Sequence, residues 1–172
     1  MTETIESRVK SLFEQHREVP GAEFDESYFI DFLMANPKGK GAFRNSFSGL
    51  RRFNAFCDKV QLEFGICFSV KDRDTDFSFL DFCERVKTLR KSSRGSKASL
   101  KNQMRYRFEW NIFVLANILL FALLVVFRNL EVVFVLTFFL AVYLNYKLIL
   151  SYKKEREYLK ALEAKIIENE NN

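Results

Sequence analysis

The alternation of apolar and polar residues divides the chain into an amphipathic first half, a continuously apolar stretch and a sparse apolar seam at the end. In the first 91 residues, apolar positions recur at intervals of three and four between charged ones, the period of helices with one buried face. Thr4 stands where an N-cap belongs, before a helix with Ile5, Val9, Leu12 and Phe13 on one side that ends ahead of Pro20-Gly21. Asp25 opens a second helix carrying Tyr28, Phe32 and Leu33, stopped by Asn36-Pro37. The longest candidate places Phe43, Phe47, Leu50, Cys57, Val60 and Phe64 on its inner stripe, with Gly65 as terminator. Ile66 to Val70 reads either as a short strand or as an extended connector, followed by the charged turn Lys71 to Asp74. Ser78-Phe79-Leu80-Asp81 has the form of a capping motif for a fourth helix that turns Phe82, Cys83, Val86 and Leu89 inward.

The pattern then changes. Ile112 to Phe127 and Val132 to Tyr146 are apolar all round and are separated only by Arg128-Asn129-Leu130-Glu131. Runs of this length also occur as core helices of soluble proteins. Here they lack a polar face, a tight polar turn joins them, and so small a domain could not cover two such rods. Extended to Trp110 and to Leu150 they reach about 18 and 19 residues, enough to cross a bilayer. Trp110, Tyr143, Tyr146 and Tyr152 then fall near the interfaces, and Lys147 is placed to snorkel.

Charge sets the orientation. Lys97, Lys101, Arg105 and Arg107 precede the first run, and Lys153, Lys154, Arg156, Lys160 and Lys165 follow the second, while the turn holds Arg128 alone. Positive residues stay on the cytoplasmic side, so both termini are expected there, in a multi-pass protein of a bacterial inner membrane. MTETIESRVK has no apolar core, so no cleavable signal peptide is expected. The expected architecture is all-α: a cytoplasmic helical domain over 1–91, a basic juxtamembrane segment over 92–109, a transmembrane hairpin over 110–150 and a charged helix over 151–172.

The net charge of +5 is one block rather than a general excess. Arg85 to Arg107 holds nine basic residues and no acid, Arg90, Lys91, Arg94, Lys97, Lys101, Arg105 and Arg107 among them, with a Ser/Gly-rich interruption from Ser92 to Ser99. Beside a membrane span such residues bind anionic headgroups, at about 1 kcal/mol each. Contact with nucleic acid is the alternative. A second acid-free stretch, Pro37 to Cys57, interleaves Lys38, Lys40, Arg44, Arg51 and Arg52 with Phe43, Phe47, Phe53 and Phe56, which suits phosphate contact or a helix with one wet face.

Little in the sequence supports catalysis. His16 is the only histidine, which excludes multi-His metal sites and leaves a Cys-His dyad without an identifiable geometry. No P-loop, HExxH or GxSxG occurs, and Gly39-Lys40-Gly41 is too short for a nucleotide fingerprint. Asp72, Asp74, Asp76, Asp81 and Glu84 read as a solvated turn and cap. The 20 Phe residues read as core, and Cys57, Cys67 and Cys83 as small hydrophobes in a reducing compartment. No enzyme activity, cofactor, metal or small-molecule substrate is expected.

Within the apolar runs Asn117, Thr137 and Asn145 are the polar candidates, as glue between helices or as the lining of an assembled path; a single hairpin encloses no pore, so a homo-oligomer is expected for any conduction. Arg128 and Glu131 are placed to pair across the turn. After the second run, Tyr152, Leu159, Leu162 and Ile166 form a seam that either joins subunits or docks on the N-terminal domain.

This organisation, mainly over residues 97 to 168, resembles the small two-transmembrane effectors of bacterial anti-phage defence systems, the retron-linked and SLATT-type proteins. The resemblance implies abortive infection: a protein held inactive until a phage enters, then released to damage the inner membrane. For a retron-linked member it also implies a reverse transcriptase and its RNA-linked DNA as companions, and otherwise a cognate partner protein. Two other readings remain: a membrane-anchored interaction protein such as an immunity or exclusion factor, and a membrane-tethered nucleic-acid binder.

Overall fold

The computed structural model describes the backbone of residues 4–34, 42–73, 78–106, 110–126 and 129–170, and within these the side chains of all but 42–46, 105–106 and 110–113. Every regular element among them is helical: α1 (Ile5–His16), a 3-10 turn (Glu26–Tyr28), α2 (Phe29–Met34), α3 (Ala42–Phe64), α4 (Val70–Arg73), α5 (Phe79–Lys91), α6 (Ser93–Tyr106), α7 (Trp110–Val126) and α8 (Glu131–Glu170). They form two compact units, residues 1–100 with 161–172 and residues 101–160.

Local chemistry starts the helices of the first unit. Thr4 Oγ1 accepts a hydrogen bond from the Ser7 N–H at 3.2 Å, and Ser78 Oγ accepts one from Asp81 N–H at 3.2 Å while donating to the Asp81 carboxylate. Each contact satisfies a donor that the first turn of a helix leaves open. Asp25 caps the 3-10 turn in the same way, through Ser27 N–H at 2.9 Å.

Above these caps the core is built from phenylalanine. Phe13 of α1 meets Phe24, Phe29 and Phe56 at centroid distances of 4.7, 5.6 and 6.4 Å. Phe82 of α5 meets Phe29, Phe56 and Phe68 at 5.4, 5.5 and 5.4 Å. Tilted and edge-on contacts of this kind suit the ring quadrupole, and each ring withdrawn from water contributes about 2 to 3 kcal/mol. Arg17 is buried beside them, with its guanidinium over the rings of Phe13 and Phe24 at 5.4 and 5.3 Å and its amino group donating to Ala22 O.

Two expectations are corrected here, and an open one is resolved. The inner stripe of α3 is Phe53, Phe56, Cys57, Val60 and Phe64, whereas Phe47 and Leu50 are exposed. At about 100° per residue, the apolar positions of this helix fall on two stripes roughly 100° apart, and only the second is covered. Ile66 to Ser69 is an extended connector, not a strand, and Val70 already begins α4. Gly65 turns the chain at φ +58°, and Gln61, itself fully buried, takes the backbone donors that a strand partner would take: Ile66 N–H reaches Gln61 O, and Phe68 N–H reaches Gln61 Oε1, both at 3.0 Å. The Ser/Gly-rich interruption of the basic block narrows to Ser92, because α6 resumes at Ser93 and buries Ser96 and Leu100 on one face.

The last turns of α8 belong to the first unit. Leu162 and Ile166 are buried, Asn169 Nδ2 donates to Phe64 O at the end of α3, and Glu170 accepts from Ser93 Oγ and pairs with Lys97. Of the two roles open to this seam, its lower part docks within the same chain.

In the second unit the arrangement inverts. Leu119, Phe121 and Val126 of α7, and Leu136, Phe139 and Val142 of α8, all face outward. Among the described residues α8 is the one helix long and apolar enough to cross a membrane. At 17 residues α7 is shorter, at the low end of spanning lengths.

Candidate membrane hairpin and its basic approach

Three polar groups interrupt the apolar helices, and the structure brings two of them together. Asn145 Nδ2 on α8 donates to Asn117 Oδ1 on α7 at 2.9 Å, and to Ala141 O one turn back on its own helix, also at 2.9 Å. Both hydrogens of the Asn145 amide are thus used inside the pair of helices. Thr137 is separate: its hydroxyl donates to Val133 O at 2.8 Å and so spends its proton within α8. Where water is excluded, an amide with no partner costs several kcal/mol, so the Asn117–Asn145 contact specifies which faces of α7 and α8 meet. Beside Asn117, Val114, Ile118, Phe121, Leu124 and Ala141 line an open apolar groove.

At the turn between the helices, Glu131 lies in the first turn of α8 and is exposed, where its charge complements the positive end of the helix dipole. Arg128, expected to pair with it, lies outside the described residues. Toward the other end, Lys147 Nζ sits 5.6 Å from the ring centre of Tyr143.

Among its described residues the basic block is helical on either side of Ser92. Arg90 and Lys91 occupy the last turn of α5, where they complement the negative end of its dipole. Arg94, Lys97 and Lys101 follow at helical spacing along α6, turned away from the buried Ser96 and Leu100, and all three are exposed. Lys97 is paired with Glu170, which it and Ser93 hold below the usual carboxylate range. Arg107 and the side chain of Arg105 lie outside the described residues.

Elsewhere the chemistry-bearing groups are structural. His16 Nδ1 lies 2.8 Å from Leu12 O, within its own helix. Burial pushes the thiols of Cys57 and Cys83 up to about 12, so both stay protonated at neutral pH. Burial raises the Asp72 carboxyl, but hydrogen bonds from Arg85 Nε at 2.7 Å and from Ser69 outweigh it and hold the group below its ordinary value.

Several of these contacts escape sequence reading. Gln61, Asn169 and the Asp72–Arg85 pair connect residues 7 to 105 positions apart, and no local pattern announces them. Asn117 and Asn145 were legible, being isolated polar residues in apolar runs. The chain matches no family model, no curated protein and no solved structure.

Proposed function

We propose that the protein is a two-span protein of a bacterial inner membrane, with both termini cytoplasmic, that acts on the bilayer as the effector of an anti-phage abortive-infection system and is restrained through its helical domain. The observation that carries this reading is the outward-facing apolar surface of α7 and α8, with their interior amides satisfied against each other. Such a surface has no stable place in water. The number of basic residues before α7 and after α8, against Arg128 alone between them, supports the shared side for head and tail. The effector role and a homo-oligomeric active form rest on the resemblance to the small two-transmembrane defence effectors, as does a partner that restrains or triggers it, including a reverse transcriptase with RNA-linked DNA.

Expression with a membrane-potential dye tests the role. An effector freed of its partners depolarises cells within minutes, and deletion of residues 110–152 abolishes the effect; unchanged potential at equal membrane abundance contradicts it. One observation favours a second reading, a membrane-anchored interaction protein: Asn145 uses both amide hydrogens within the chain, which leaves it no donor to line a path. In that case potential stays constant and residues 1–100 carry the binding of the partner.

A further inference from the structure

The uncovered stripe of α3 is unlike the rest of the first unit's surface. Phe47 is 63% exposed and Leu50 46%, one turn apart on the same side of the helix. Other exposed large apolar residues of this unit, such as Val19, Val70 and Leu80, stand on other elements. Arg51 is exposed at the margin of the stripe. From Pro37 to Cys57 the chain has five basic residues and no acidic one. The first acid along this face, Asp58, is 3.7 Å from Arg73. An apolar strip edged by Arg, on the acid-free part of α3 that precedes Asp58, has the composition of helices that lie in the plane of an anionic bilayer. Nucleic acid also presents phosphates and could stack a base on Phe47, but the aliphatic Leu50 beside it stacks no base and is suited to an apolar medium.

We propose that the Phe47–Leu50–Arg51 face of α3 docks the helical domain onto the anionic cytoplasmic leaflet, as a second membrane contact besides the hairpin. The proposal rests on the two-span reading, which sets the domain beside that leaflet. Its charge complementarity sets the dependence: each basic residue near such a surface changes partitioning by about fivefold, and the change fades with salt.

The test uses the full-length protein in proteoliposomes, with an environment-sensitive dye on Phe47→Cys or, separately, on Leu119→Cys in α7. Cys57, Cys67 and Cys83 are buried and stay unlabelled. Expected is quenching of the position-47 dye by doxyl lipid in vesicles containing phosphatidylglycerol, falling about fivefold or more in pure phosphatidylcholine, in high salt or with Arg51→Glu, while the position-119 dye is quenched by doxyl lipid in all of them. Quenching of position 47 by iodide in the anionic vesicles overturns the proposal and leaves the hairpin standing. Iodide quenching at position 119 removes the two-span reading and the proposal with it. Shielding of position 47 from both quenchers in both lipids assigns the face to a second protein surface, and shielding only on addition of single-stranded oligonucleotide assigns it to nucleic acid; either overturns the lipid assignment.

Discussion

Phenylalanine serves opposite purposes in the two units. Around Phe13, Phe29, Phe56 and Phe82 the rings converge on one another and are nearly or fully buried, whereas Phe121 and Phe139 are 67% and 64% exposed. Composition does not separate these settings; the spacing of the polar residues does. On α1, α3 and α5 polar residues occupy most of one side of each helix and force a single buried face. On α7 and on α8 before Lys147 no such side exists, so the apolar surface faces whatever surrounds the helices. One unit covers its own apolar residues, and the other leaves them uncovered.

The widest separation between the two is expected from truncating a ring in each. Phe56→Ala should cost about 3 to 5 kcal/mol in denaturant unfolding of the helical domain, because the cavity lies where Phe13, Phe29 and Phe82 meet. Phe139→Ala should move the same transition by no more than about 0.5 kcal/mol. Equal effects would mean that the exposed rings of α8 are also core.

Gly65→Ala comes next. The residue sits at φ +58°, and a Cβ there would lie 2.7 Å from Lys165 O and closer still to the Asn169 amide. The left-handed backbone and the blocked seat for α8 together should cost about 1 to 3 kcal/mol, with Glu163→Ala, exposed on the same helix, as the near-neutral control. Loss of no stability would show that the end of α8 does not dock.

The contrast between the units also explains what was legible. Thr4 and Ser78 announce their helices because a cap is a contact between neighbours three residues apart. The two apolar runs announce themselves by length. Phe47 and Leu50 were misplaced because periodicity defines a face of α3 without naming what covers it. The helix that carries the second part of the basic block was obscured by Ser92, Ser93 and Gly95, although Ser96 and Leu100 reveal its face once it is folded. Asn169 on Phe64 and Glu170 on Lys97 depend on a chain reversal that no local signal specifies. Among the site residues, the Asn117–Asn145 bond joins two positions that the sequence marked singly, since rarity shows that each matters but not that they meet.

A smaller effect sharpens the interior of the hairpin. In a double-mutant cycle on Asn117→Leu and Asn145→Leu, the coupling should be about 0.6 to 1.7 kcal/mol, read from unfolding in detergent micelles. Zero coupling would place the two amides in separate environments.

The smallest effect is electrostatic and confined to the helical domain. The Asp72 carboxyl is held below its ordinary value in the fold, so its contribution is complete above the unfolded-state value and disappears as pH falls through the folded one. Asp72→Asn should therefore lower stability at neutral pH and flatten its decline below about pH 4. A decline with unchanged slope would assign the acid sensitivity to other carboxylates.

The most direct measurement asks on which side of the membrane the turn and the tail lie. Single cysteines at Asn129, in the turn, and at Glu163, near the C-terminal end of α8, are exposed to a membrane-impermeant maleimide in intact spheroplasts and after lysis. A two-span topology predicts labelling of position 129 in intact spheroplasts and of position 163 only after lysis. Labelling of position 163 from outside, or protection of position 129 until lysis, would contradict that topology.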